Sequence, residues 1–268
     1  MSKIVFITGA SSGIGKAIGE YLTDKGFQVF GTSRNPERNS DLSFPLVRMD
    51  VHDVDSIKSA IDHVLSQIKK IDVLINNAGV GITGPIEETP DSEMKNAFET
   101  NFFGPINVIK EVLPSMREQG YGQIVNITSI AGYMGLPYRG IYSASKAALE
   151  ITMEAMRMET LQFGVKITNV APGDFATNIA SGRYHAPIVK GSPYEEAYDN
   201  TLKLMDNHVD KGEDPIKMAE AVYKIINTEN PKVHYRVGAP LQKLSILLKR
   251  ILPDRTYENL ILKHYKLK

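Results

Sequence analysis

The sequence predicts an α/β chain built on one doubly wound parallel sheet, with a helical insertion over 178–214 and a helical tail over 240–268. Three observations predict it. Short β-branched runs alternate with longer helical patterns from Lys3 to Val237. The runs are apolar enough to be covered on both faces. Glycines, amides and hydroxyls gather where the runs end, which is the ligand side of an open α/β sheet.

Composition narrows the class. The 268 residues are 42% apolar, enough for one large core. Lysine plus arginine equals aspartate plus glutamate at 31 each, so the basic excess of a general nucleic-acid binder is missing. With no cysteine, disulfides, thiolate metal sites and a cysteine nucleophile are excluded. The opening MSKIVFITGA enters a strand pattern without the features of a secretory signal, and no apolar run has the length of a bilayer span. A cytoplasmic protein is expected.

Lys3–Thr8 reads as a buried strand, and the helix Lys16–Lys25 ends at Gly26. Between them lie Gly9, Ala10, Ser11, Ser12, Gly13, Ile14 and Gly15. Glycines that follow a strand and open a helix let the backbone approach a pyrophosphate, whose charge the helix N-terminus favours. Phe27–Thr32 is the second strand, with Ser33 and Arg34 at its end. An acidic residue there would hold the ribose hydroxyls of NAD. Here Arg34 can pair with a 2′-phosphate and Ser33 can hydrogen-bond it, which favours NADP over NAD.

Pro45–Met49 is a third strand, closed by Asp50 and Val51. Asp50 could accept from an adenine amino group, or could simply open the helix Val54–Lys69. The strand Ile71–Ile75 leads into Asn76, Asn77, Ala78 and Gly79. Ser92–Gln119 is helical in pattern and contains Asn101, which amid apolar neighbours needs a partner or a job. Gly122–Thr128 is a strand that delivers Ser129.

The helix Ile141–Phe163 carries Tyr142 and Lys146, one turn apart on one face. A tyrosine with pKa about 10 exchanges protons poorly near neutrality, and a nearby ammonium favours its phenolate. Ser129 could hydrogen-bond a substrate oxygen from the other side. Tyrosine and lysine also share a helix face by accident, so the neighbouring motifs decide the matter. Val165–Val170 is the next strand, followed by Pro172, Gly173, Phe175 and Thr177.

Residues 178–193 read as irregular, with helices at Tyr194–Val209 and Pro215–Asn227 and a last strand at Val233–Val237. Such an insertion beside the strand ends is where a substrate lid sits. Its aromatic residues, Tyr184, Tyr194 and Tyr198 with Phe175, suggest a moderately hydrophobic substrate. His185 stands there as a candidate acid or base, although a loop histidine is more often simply exposed. In the tail, Leu241, Leu244, Leu248 and Ile251 share one face, and seven Lys/Arg from Leu241 onward oppose two acidic residues. A basic amphipathic helix can lie on anionic membrane. Packing of its apolar face on its own domain or on a second subunit is the favoured expectation.

The assembled motifs resemble the short-chain dehydrogenase/reductase family over about Lys3 to Val237. Thr8-Gly9-xxx-Gly13-Ile14-Gly15, Asn76-Asn77-Ala78-Gly79, Asn101, Ser129, Tyr142-xxx-Lys146 and Pro172-Gly173-xxx-Thr177 stand in the family's order. The resemblance implies a single Rossmann-type domain, an NAD(P) cofactor and hydride exchange with a carbonyl or secondary alcohol. By the same resemblance Asn101, Ser129, Tyr142 and Lys146 form the catalytic tetrad. Tyr142 would exchange the substrate proton, Lys146 would hold the cofactor ribose, and Asn101 would hold a water linking Lys146 to solvent. Gly9, Ser11, Ser12, Gly13, Ile14, Gly15, Ser33, Arg34, Asp50, Val51, Asn77, Ala78, Gly79, Pro172, Gly173, Phe175 and Thr177 would line the cofactor.

Phe175 stands where the family has a smaller aliphatic residue, and the tail resembles the hydroxysteroid and retinol dehydrogenase-like branches. A homodimer is implied through the helices Ser92–Gln119 and Ile141–Phe163, with a tetramer next. Two rival readings are a non-catalytic cofactor-binding scaffold, against which the intact tetrad argues, and a peripheral membrane protein working through its tail.

Overall fold

Alternate residues of a strand point to opposite faces of its sheet, and here both faces receive apolar side chains. In β1 (Ile4–Ile7), Ile4 and Phe6 pack on one side and Val5 and Ile7 on the other, all buried. Such a strand is stable only when helices cover both faces, and the chain supplies them. The structure, a computed structural model, describes residues 2–38, 41–176, 182–209 and 212–268.

From the N-terminus, β1 is followed by α1 (Gly13–Asp24), β2 (Gln28–Ser33), β3 (Leu46–Arg48), α2 (Val54–Ile68) and β4 (Val73–Asn76). Then come the short β5 (Ile82–Thr83), α3 (Asp91–Phe98), α4 (Gly104–Glu118), β6 (Gly122–Ile127) and α5 (Gly140–Thr160). The chain continues with β7 (Val165–Pro172), the short β8 (Tyr184–His185), α6 (Glu195–Val209), α7 (Ile216–Ile226) and β9 (His234–Val237). The tail forms α8 (Pro240–Ile251) and α9 (Asp254–His264).

Seven strands pair in parallel in the order β3-β2-β1-β4-β6-β7-β9. The direction of winding reverses between β1 and β4, and the crevice at that switch point is where such sheets bind ligands. One face buries Ile57, Ile61 and Val64 of α2, Val108 and Val112 of α4, and Leu149 and Met153 of α5. The other buries Ile14, Ile18 and Leu22 of α1 with Met218, Val222 and Ile225 of α7. Ile18 is fully buried, so Ile18→Ala would cost about 2–5 kcal/mol.

Three predicted features differ in the structure. The helix expected over Ser92–Gln119 is interrupted at Glu99–Phe103 by a wider π turn, because Asn101 bonds outward to Val80 and Ser145. Within the stretch expected to be irregular, Tyr184–His185 forms β8 and pairs with β5. In the tail, Leu248 of the expected face packs on the chain's own body, whereas Leu241 is 74% and Ile251 64% exposed and Leu244 is exposed too. The buried residue is Ile246, at 1%. Polar contacts decide the rotation of α8: Gln242 Nε2 donates to Asp174 Oδ2 at 2.7 Å, turning Gln242 and Ile246 inward and Leu241, Leu244 and Leu247 out.

Candidate active site

Two close backbone approaches define the floor of the site. Gly9 and Gly13 adopt φ +65° and +55°, the left-handed region where a side chain is strained. A Cβ on Gly15 would lie 2.4 Å from both Asn77 Nδ2 and Gly9 O, so the first turn of α1 accepts no larger residue there. Asn77 in turn ties the strand ends together. Its Nδ2 donates to Thr8 O at 3.0 Å and Gly9 O at 2.9 Å, while Thr8 Oγ1 accepts from Asn77 N and Ala78 N.

Ser12 is extended and makes no capping bond through its side chain, and the first turn of α1 carries no acidic residue. Ser11 and Ser12 thus stand at a positive helix end with no internal counter-charge. This glycine cradle fits the pyrophosphate of a dinucleotide. Each group present is either a backbone donor or a small side chain.

The predicted tetrad is drawn from the π turn at Glu99–Phe103, the end of β6 and the helix α5. Lys146 is buried, and its Nζ donates to Ile127 O at 3.2 Å. Burial pushes the Lys146 pKa below its ordinary value, opposed by the neighbouring Tyr142 and Glu150. Asn101 is held from three directions. Its Oδ1 accepts from Val80 N at 2.9 Å, and its Nδ2 donates to Val80 O at 2.9 Å and Ser145 Oγ at 3.1 Å. A Cβ on Gly79 would lie 3.2 Å from Asn101 Oδ1 and 3.3 Å from Lys146 Nζ, so the glycine leaves room between the two. Ser129 Oγ accepts from Ala131 N at 3.1 Å, which fixes its hydroxyl at the end of β6.

The sequence did not point to several neighbours. Ser145 passes Asn101's contact back to α5, since its Oγ donates to Tyr142 O at 2.8 Å. Arg139 holds its guanidinium carbon 5.4 Å from the centre of the Tyr142 ring. Behind Lys146, the buried Glu150 carboxylate accepts from Thr128 Oγ1 at 2.5 Å and Asn169 Nδ2 at 3.1 Å, and meets His234 Nδ1 at 2.8 Å.

Ser129, Tyr142 and Lys146 line one cavity of about 610 Å3 together with Ile14, Asn77, Gly79, Pro172, Gly173 and Phe175. The far wall comes from the tail, chiefly Leu241, Leu248, Tyr257, Leu260 and Ile261. Of the four aromatic residues expected to give the cavity its apolar character, Phe175 lines it, whereas Tyr184, Tyr194 and Tyr198 do not. Tyr198 is buried elsewhere, with its OH donating to Thr83 O and Ala186 O at 3.1 Å, and Tyr194 OH donates to Glu87. His185 serves β8 rather than the cavity, its Nδ1 lying 2.8 Å from Thr83 Oγ1.

Ser33 ends β2 and accepts from Asn35 N, while Arg34 is exposed and makes no ion pair or hydrogen bond among the described residues. Asp50 accepts from His52 N at 3.0 Å, and the cap of α2 is Asp53 instead. Val51 packs against Gly104 at the start of α4. Thr177 lies outside the described residues.

The family described as short chain dehydrogenase matches residues 3–187. A 3-ketodihydrosphingosine reductase from Bacteroides thetaiotaomicron is 40% identical over 253 residues, 94% of each chain. An uncharacterized oxidoreductase from Bacillus subtilis, YusZ, is 33% identical over 97% of this chain and 98% of its own. A solved short-chain dehydrogenase from Streptomyces avermitilis superposes with a TM-score of 0.84 at 32% identity, covering 99% of this chain and 96% of that one. Other structures of this fold were obtained with NADP in one case and NAD in another.

Proposed function

The chain belongs to the short-chain dehydrogenase family, and from that membership we propose that it is an NADP-dependent reductase of a hydrophobic ketone. The observation that carries the reading is the convergence of Ser129, Tyr142 and Lys146 with Ile14, Asn77 and Gly79, which adjoin the glycine cradle, in one cavity whose opposite wall is apolar. The nicotinamide supplies or accepts the hydride. Every other step belongs to the chain. Tyr142 gives its phenolic proton to the carbonyl oxygen in reduction and takes the hydroxyl proton in oxidation. Ser129 donates to the same oxygen as charge develops on it.

Lys146 holds its ammonium beside Tyr142, favouring the phenolate left after proton transfer, and reaches toward the cofactor ribose. Asn101, tied to Val80 and Ser145, keeps the π turn open next to Lys146 and lines the route for proton return. Gly9 to Gly15, Asn77, Ala78, Gly79, Pro172 and Gly173 hold the cofactor, with Asp50 and Val51 at its adenine end. Arg34 and Ser33 select NADP.

The apolar wall supports a substrate with a long alkyl chain, and the ketodihydrosphingosine reductase of B. thetaiotaomicron is a relative whose substrate has that chemistry. Residues 178–214 act as its lid. The working form is a homodimer in the cytoplasm. Among the described residues no helix is long and apolar enough to cross a membrane, and no cluster of side chains suits a metal.

The test is NADPH consumption against a series of 3-ketones of rising chain length. The expected result is a kcat/KM that climbs with chain length, by up to about fourfold for each methylene the cavity buries. A flat profile, or faster turnover with NADH, would overturn the reading.

A further inference from the structure

The tail leaves an apolar surface that nothing among the described residues covers. On α8, Gln242, Ser245 and Ile246 face the body, and Leu244, Leu247 and Ile251 face outward with Leu241 beside them. That rotation is held at both ends of the tail. Gln242 is bonded to Asp174, and Tyr257 of α9 is buried with its OH 2.8 Å from Met134 Sδ. The exposed stripe is therefore part of the folded state. Lys243 and Arg250 border it, are exposed, and make no ion pair among the described residues. From Leu241 to the last residue there are seven Lys/Arg against Asp254 and Glu258, in a chain whose net charge is zero. Leu241 and Leu260 belong to both surfaces, since they are exposed and also line the cavity.

We propose that this stripe docks the protein on an anionic lipid bilayer, with the cavity mouth turned toward the membrane. Leucines and an isoleucine enter the acyl boundary while the bordering cations meet lipid phosphates. A second copy of the chain fits less well. It would bring the same Lys243 and Arg250 against their equivalents, and it would cover the rim of the cavity that Leu241 and Leu260 form. A bilayer leaves that rim open to a molecule already dissolved in it. The delivery of substrate rests on the hydrophobic-ketone reading above; the docking does not.

The experiment is co-sedimentation of the full chain with vesicles of phosphatidylcholine alone and of phosphatidylcholine mixed with phosphatidylglycerol. The parent is expected in the pellet with the mixed vesicles and to leave it as salt rises. Leu244→Asp with Ile251→Asp is expected to lower vesicle binding about tenfold or more, and Lys243→Glu or Arg250→Glu about fivefold each. All four changes lie outside the cavity and should leave NADPH binding and turnover of a water-soluble ketone at the parent level.

A parent that stays in the supernatant with both vesicle types overturns the proposal. So does a Leu244→Asp, Ile251→Asp variant that pellets like the parent. Sedimentation velocity adds a third result that overturns it: that variant converting a larger assembly into a smaller one would make the stripe a subunit interface. A parent that pellets but turns over no ketone removes the reductase reading and leaves the docking in place.

Discussion

The catalytic shelf and the tail solve opposite problems. On the shelf three buried polar side chains each have a partner within the chain: Asn101 with Val80 and Ser145, Lys146 with Ile127, Ser129 with Ala131. On the tail apolar groups are exposed, and no partner covers them among the described residues. Arg34 resembles the tail in this respect, an exposed cation with no counter-charge among the described residues. Buried polar groups left unpaired would cost about 1–3 kcal/mol each, so the shelf must be finished before any ligand arrives. An exposed leucine or arginine costs little in water and can wait. Groups that act on reacting atoms are thus preorganised, and groups that select what enters are left open.

The comparison breaks most visibly at Tyr142. Because Tyr142→Phe removes one oxygen and no packing, it should keep NADPH affinity while turnover falls by about 10²–10⁴. Steady-state turnover beside a cofactor titration checks this, and near-parent turnover would remove Tyr142 from the proton transfer. Lys146→Met should also lose turnover, with an opposite effect on stability. The folded pKa of Lys146 lies below its unfolded value of 10.5, so the burial penalty is full at neutral pH. It lifts as pH rises from the folded pKa toward 10.5. Lys146→Met should accordingly melt a few degrees higher at neutral pH, with the advantage shrinking at alkaline pH. A lower melting temperature at neutral pH would mean that the Ile127 contact outweighs desolvation.

At Arg34 the expected effect is smaller and selective. A charge-assisted contact to a 2′-phosphate is worth about 1.5–3 kcal/mol, or about ten- to a hundredfold in affinity. Calorimetric titration of Arg34→Ala should show that loss for NADPH and almost none for NADH. Ser33→Asp should turn the preference toward NADH. Equal losses for both cofactors on removing Arg34 would mean that it does not read the phosphate.

What was legible in the sequence follows the same division. The glycine turn, Asn77, Ser129, Tyr142 and Lys146 could be placed because strand ends in a parallel sheet fall at one edge, and local patterns mark strand ends. The π turn at Glu99–Phe103 was not legible, since it exists through contacts of Asn101 with Val80 and Ser145, far away in the chain. The pairing of β5 with β8 is only two residues long and joins segments about a hundred residues apart. In α8 apolar residues occupy most of the circumference, so periodicity finds an apolar face but not which face turns inward. Gln242 decides that, and a lone glutamine in a leucine-rich helix carries no signal of its role. The tail's share of the cavity wall is hidden in the sequence for the same reason: Leu241, Leu248, Tyr257, Leu260 and Ile261 reach Phe175 and the catalytic groups only in three dimensions.

The smallest expected effect tests the joint between the two regions. Gln242 stands on α8, yet its Oε1 accepts from Asp174 N at 3.3 Å and its Nε2 donates to Asp174 Oδ2 at 2.7 Å. A Cβ on Gly173 would fall 1.9 Å from that same Oε1, so the tail rests directly on the turn that follows β7. Gln242→Ala removes both bonds at a partly exposed site, a cost of about 1 kcal/mol that lowers the melting temperature by about 2–4 °C. With the rotation of α8 loosened, Leu241 and Leu248 lose their fixed place on the cavity wall. KM for a long-chain ketone should then rise a few-fold while kcat at saturation stays near the parent, because Ser129, Tyr142 and Lys146 keep their own partners. If kcat fell as far as in Tyr142→Phe with KM unchanged, the tail would be shaping the catalytic groups themselves, and the division between a finished shelf and an open tail would not stand.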